Sequence, residues 1–174
     1  MSAVEATDIA VGVLRVAVGT VFVLHGGNHV FGGGRIAGTG RWFESLGMRP
    51  GRLHAWMASL TELGCGLLLA VGLLTPLAAA GLLATMVVAF ATAHARNGFF
   101  IFRPGEGYEY VLVLGVAAIC LGGCGGGRLT VDRALGILGA GWLSLLLTFG
   151  LGIVGGLAQL LIFWRPRPTT ATGS

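Results

Sequence analysis

The sequence predicts an all-α membrane protein, a polytopic transmembrane helical bundle with a four-helix core at residues 9–133 and one additional C-terminal hydrophobic helix at residues 134–164. Three observations predict it. Of the 174 residues, 55% are hydrophobic and only 10% are charged, whereas a soluble domain carries about 25% charged residues. The charges cluster between apolar runs, several of which approach the roughly 20 residues that a spanning helix needs. Glycine occurs 32 times, as expected where helices must approach closely in lipid, since apolar packing there gains little over lipid contact.

The elements follow in order. Residues 1–8 hold Glu5 and Asp8 and no basic residue. A cleavable signal peptide wants a positive start, so this segment reads as the entry to a membrane helix. The first helix is expected over residues 9–31, interrupted by one charge, Arg15. After Gly32, Gly33 and Gly34, residues 38–46 set Trp42, Phe43 and Leu46 against Arg41, Glu44 and Ser45, an amphipathic piece suited to the membrane interface. A second helix is expected over 53–74, and Thr75-Pro76 turns the chain into a third over 77–95, since proline is tolerated in a first turn. A polar loop leads to a fourth helix over 108–122, and a Gly-rich connection spans 122–130. The uncharged run from 134 to 164 has 31 residues. At about 1.5 Å per residue it exceeds a hydrocarbon core of about 30 Å. It must therefore begin as an interfacial segment or bend, with Gly150, Gly152, Gly155 and Gly156 as bend points. Gly152 and Gly156 also form a small-residue pair that serves packing inside the chain or a dimer face. The Pro/Thr-rich residues 165–174 are expected to be a disordered tail.

All eleven basic residues are arginine, and the formal net charge is +4. No basic stripe with interleaved aromatics is present, which excludes a nucleic-acid partner. With five spans, Arg35, Arg41, Arg49, Arg52, Arg96, Arg103, Arg165 and Arg167 fall on one side, against Arg128, Arg133 and an outward-snorkelling Arg15 on the other. That asymmetry predicts a cytoplasmic Arg-rich side. Cys65, Cys120 and Cys124 form neither a redox pair nor a zinc pattern and are read as small core residues.

Antiparallel neighbours gather most polar side chains at the Arg-rich end. The first helix arrives with His25 and His29, four residues apart and hence on one face, with Arg15 continuing the stripe. The second leaves with His54 and then Glu62, ten residues past Arg52 and so about 15 Å deep. The third arrives with His94, and the fourth leaves with Tyr108 and Glu109. The opposite end offers nothing comparable. A carboxyl at that depth is costly, and such residues are functional or paired. The candidate ligand-binding residues are therefore His25, His29, Glu62, His94, Tyr108 and Glu109. Three readings stay open: a quinone headgroup site, since these groups bond carbonyl oxygens; a metal site of His25, His29, His94 and Glu62, though the Glu-x-x-His repeat of di-iron bundles is absent; and a buried polar knot that fixes helix register.

Several pieces in order carry a resemblance. They are His25-Gly26 through Phe31-Gly32, Glu62-Leu63-Gly64-Cys65-Gly66 running to Leu74-Thr75, His94, Asn97-Gly98-Phe99-Phe100, Gly107-Tyr108-Glu109-Tyr110, and Gly127-Arg128-Leu129-Thr130-Val131-Asp132-Arg133. Together they resemble the DoxX family of small bacterial integral membrane proteins, over roughly residues 10–135. The resemblance implies a four-helix bundle in the plasma membrane, and for some relatives a membrane subunit of quinone-linked oxidation. Two departures stand out. The family usually has lysine where His29 stands, so a fixed charge becomes a titratable one. The helix at 134–164 is extra, and is expected to serve a protein partner or a second copy. The expected function is a redox-associated membrane subunit that binds quinone, as a subunit of a quinone-linked oxidoreductase would; the alternative, of another class, is a non-catalytic scaffold anchoring a larger complex.

Overall fold

The computed structural model describes residues 4–137 and 139–166; the tail expected at 165–174 lies outside them from residue 167 onward. The described residues form seven α-helices and no strand. These are α1 (Ala6–Phe31), α2 (Arg35–Ser45), α3 (Gly51–Val71), α4 (Thr75–Ala89), α5 (Glu109–Gly123), α6 (Val131–Leu135) and α7 (Trp142–Phe163). A π-turn, Phe90–His94, and a 3-10 turn, Ala95–Asn97, prolong α4. Among the described residues four helices are long and apolar enough to cross a membrane: α1, α3, α4 with its extension, and α7. Apolar α5 has 15 residues, about 22 Å of rise.

The helices alternate in direction, so the connections α1–α2–α3 and α4–α5 share one end with the last turn of α7. Backbone bonds fix that meeting: Arg165 N–H donates to the Gly47 carbonyl at 2.7 Å and Arg49 N–H to the Phe163 carbonyl at 3.2 Å. The Trp164 indole adds a bond to the Leu46 carbonyl. This end carries Arg35, Arg41, Arg49, Arg52, Arg96, Arg103 and Arg165, and we call it the Arg-rich end. The helix α2 buries Ile36, Gly40 and Phe43 against the bundle and leaves Arg35, Arg41 and Trp42 exposed, the two faces expected of an interfacial helix.

Glycine sets the helix spacing. A Cβ on Gly19 would lie 2.6 Å from the Gly66 carbonyl oxygen, so α1 and α3 touch backbone to backbone. On α7, a Cβ on Gly152 would meet Leu83 at 2.7 Å and one on Gly156 would meet Val87 at 2.7 Å. The glycine pair therefore packs against α4 within the chain, and α7 is a wall of the bundle along its whole length. The surplus length of the last apolar run is not taken up by bends at these glycines. It is taken up earlier, in α6 and the break before Trp142, and α7 runs uninterrupted.

The Arg-poor end corrects the sequence reading of it. Arg15 does not snorkel outward; it is 4% exposed. Its guanidinium donates to the carbonyls of Leu69 at 2.9 Å and Leu129 at 2.8 Å, and to that of Ala70. It thereby bonds carbonyls at the C-terminus of α3, an end electrostatically suited to a cation. Gly72 leaves the helix in the left-handed conformation (φ 73°), which glycine adopts without steric cost. The Asp132 carboxylate accepts from Leu74 N–H at 2.6 Å and Thr75 N–H at 2.8 Å, capping the start of α4 from outside its own sequence. Asp8 adds an ion pair to Arg128 at 3.8 Å. The cysteines also differ from expectation: Cys65 is half-buried, whereas Cys120 and Cys124 are exposed.

Candidate functional site

At the Arg-rich end the helices enclose a cavity of about 170 Å³. Apolar walls come from Phe22 of α1, Phe43 of α2, Met57 of α3, Met86 of α4 and Leu114 of α5. Into this apolar space project the polar groups His25, His29, Glu62, His94, Glu106 and Tyr110.

Each is positioned by its element. His25 and His29 sit one turn apart on α1. Gly26 between them packs against Glu62 and Leu63, since a Cβ there would lie 3.0 Å from the Glu62 Cβ. This close approach brings Glu62 to His29, with the Nδ1 of His29 3.4 Å from Oε2 of Glu62. Glu62 is 5% exposed. Neither of those two atoms has a hydrogen-bond partner among the described residues; their separation is that of an ion pair. Nearer the rim, the Tyr110 hydroxyl lies 3.5 Å from Nε2 of His25, a distance at which a hydrogen bond is weak.

His94 ends the π-turn, a distortion that recurs at functional sites. Its Nδ1 lies 2.9 Å from the Glu106 carbonyl. A carbonyl only accepts, so Nδ1 carries the proton in this contact. The same carbonyl accepts from Asn97 Nδ2 at 3.1 Å. Glu106 holds a left-handed backbone, φ 60°, which costs a non-glycine residue of order 1 kcal/mol. The loop thus keeps a strained residue where it orients a cavity histidine.

Of the residues singled out in the sequence, the structure brings His25, His29, Glu62 and His94 to one cavity and leaves Tyr108 and Glu109 out of its lining. Tyr108 precedes the first turn of α5 and packs its ring on Phe90 and Phe99. Glu109 accepts from Ile101 N–H at 3.3 Å, toward the loop. Tyr110 was missed. Two positions along a helix rotate the side chain by about 200°, so Tyr108 and Tyr110 cannot share a face. The signal was available, because Tyr110 continues the face of Val111 and Leu114, which are buried. His54 is buried but stands outside the cavity lining, bonded through Nδ1 to Gln159 of α7 at 3.0 Å and packed edge-on to Phe163. Among the described residues no group of three or more His, Cys, Asp or Glu is arranged to hold a metal ion, so the quartet His25, His29, His94 and Glu62 does not form a metal centre in this arrangement.

Residues 10–95 match the sequence profile of the DoxX family. The chain belongs to the DoxX family. With four apolar helices of spanning length, this DoxX chain is a membrane protein. The matched segment runs from α1 to the end of the α4 extension and includes His25, His29, Glu62 and His94. The α4–α5 loop, α5 and α7 lie beyond it, and with them Glu106 and Tyr110. No curated protein and no solved structure matches the chain.

Proposed function

We propose that this DoxX protein is a multi-pass plasma-membrane protein that binds a quinone, or a lipid-soluble molecule with similar carbonyl or hydroxyl oxygens, in the cavity at the Arg-rich end. In this reading it serves redox chemistry as a membrane subunit, with the Arg-rich end in the cytoplasm. One observation carries the reading: Glu62 and His29 line an apolar cavity with Oε2 and Nδ1 facing each other at 3.4 Å and neither making a hydrogen bond among the described residues. A buried polar group without a hydrogen bond in hydrocarbon costs several kcal/mol, and beside a cavity a ligand can supply that bond. A flat ring with oxygens on opposite edges suits the site. The carboxyl and imidazoles bond the oxygens, while Phe22, Met86 and Leu114 contact the ring.

Trp42 lines the cavity and supplies the test, because quinones quench indole fluorescence. Titrating the detergent-solubilised protein with short-chain ubiquinone and menaquinone analogues is expected to give saturable quenching. Replacing Trp42 by Phe should remove most of that signal. Glu62→Ala and His25→Ala should weaken binding about tenfold each, the loss of one good hydrogen bond to a buried group, with the helical circular dichroism unchanged. Absence of saturation, or unchanged binding in Glu62→Ala, rejects the reading. The alternative is a scaffold acting through α7, whose outward face carries exposed Leu143, Leu146, Val154 and Leu161. Stable co-purification of a larger complex through that face, with no quinone binding, would favour it.

A further inference from the structure

A second depression at the Arg-rich end adjoins the cavity. It is a surface groove lined by Asn28, Gly32, Arg35 and Thr39, together with His29 and Trp42. His29 and Trp42 also line the interior cavity, so these two side chains stand between the inside and the outside. They differ in chemistry. The indole of Trp42 only donates, whereas an imidazole can accept a proton on one nitrogen and release one from the other near neutral pH. The inward neighbour of His29 is Glu62, with Nδ1 and Oε2 3.4 Å apart and neither bonded elsewhere among the described residues.

The geometry points to His29 as the proton port of the cavity, passing protons between the outer groove and Glu62. Inward, a neutral imidazole takes a proton from the groove on Nε2, and the imidazolium gives up the Nδ1 proton to Oε2 of Glu62. Outward, the order reverses: Glu62 receives a proton from a ligand hydroxyl and returns it through His29. One proton enters and one leaves at each step, and no electron moves. The other titratable groups facing the pair are His25 from the same helix, Tyr110 from α5, His94 after α4 and Glu106 from the loop. α2 presents Trp42 and α7 the neutral Gln159. His25 and Tyr110 contact each other at the rim and do not line the groove, so they define the competing route. The use of this port for a quinol rests on the function proposed above; the port itself belongs to the ligand-free chain.

Infrared spectroscopy of the full, ligand-free protein tests it. The carbonyl stretch of a protonated buried carboxyl, assigned by its disappearance in Glu62→Gln, shifts when the proton is replaced by deuterium. After transfer to deuterated buffer the wild-type band should shift promptly. In His29→Phe the shift should slow on the order of tenfold or more, and His25→Phe should exchange like the wild type. If His29→Phe does not fold, His29→Gln, which keeps a polar side chain of similar reach, replaces it with the same expectation. Unchanged exchange in a folded His29 variant, or slowing in His25→Phe alone, overturns the proposal. So does the absence of any Glu62-dependent band throughout the pH range in which the protein stays folded, since a relay must hold the proton in one of its states. Because no ligand is used, failure here is separable from failure of quinone binding.

Discussion

At the Arg-poor end, Arg15 and Asp132 direct their charged atoms at backbone groups around the turn from α3 to α4 and the start of α6. Two guanidinium nitrogens reach three carbonyls, and both carboxylate oxygens receive an N–H. Among the described residues, the buried Arg15 Nε and the Thr75 hydroxyl make no hydrogen bond there. At the Arg-rich end the buried carboxyl of Glu62 has one imidazole nearby, the two facing atoms are unbonded, and a cavity adjoins. The lesson is that burial of charge does not by itself mark a functional site in a membrane bundle. What separates the two ends is whether the charge is saturated by the fold.

That contrast is most sharply tested by removing a saturated charge. Asp132→Ala leaves the Leu74 and Thr75 N–H groups without an acceptor. The expected loss is about 3 kcal/mol, from the cost of leaving two N–H groups unsatisfied. It should appear as a large drop in the thermal unfolding midpoint in detergent. Quinone-analogue binding below that midpoint should be retained. A loss under about 1 kcal/mol, the range of a surface substitution, would mean that this end is not the structural one.

A second, smaller effect concerns the wall that both ends share. Thr148 of α7 donates to the Pro76 carbonyl toward one end and Gln159 bonds His54 toward the other, so α7 belongs to the fold of each. Gly156→Leu would push a side chain into Val87, and overpacking of this kind costs about 1–3 kcal/mol. Lower stability with an unchanged oligomeric state is expected from unfolding curves and light scattering. Unchanged stability with a changed oligomeric state would instead assign the glycines to a contact between chains.

Much of this was legible in the sequence because hydropathy and charge spacing are local. The first four long helices lie within a few residues of their expected places, whereas α7 begins eight residues later than expected, and the four residues at the ends or depths of apolar runs, His25, His29, Glu62 and His94, do meet. What was not legible depends on partners remote in sequence or on one-residue phase. Arg15 bonds carbonyls 54 and 114 positions away, and backbone carbonyls leave no trace in side-chain patterns. Asp132 caps a helix that begins 57 residues before it. Tyr108 and Tyr110 flank the start of α5, and without that boundary the face each takes is undetermined. The last apolar run read as too long, but its break fell at the α6–α7 junction, where no proline or charge marks it.

The smallest expected effect is the most discriminating, because it falls on the unsaturated end. Glu62→Gln keeps the size and shape of the side chain and removes only its capacity for charge. If Glu62 is held open for a ligand and a proton, the fold takes little from its charge, and its Oε2 loses no hydrogen bond in the exchange. Stability should therefore stay within about 0.5 kcal/mol of wild type or rise slightly, as replacing buried ionisable groups by neutral ones often does. Glu62→Lys sets a longer cation beside His29 and should unfold the bundle near ambient temperature. Thermal unfolding of both variants, alongside Asp132→Ala, reads the comparison directly. If Glu62→Gln costs as much as Asp132→Ala, the Glu62–His29 contact is a charged structural pair, the two ends are alike, and Glu62 is not held open for a ligand.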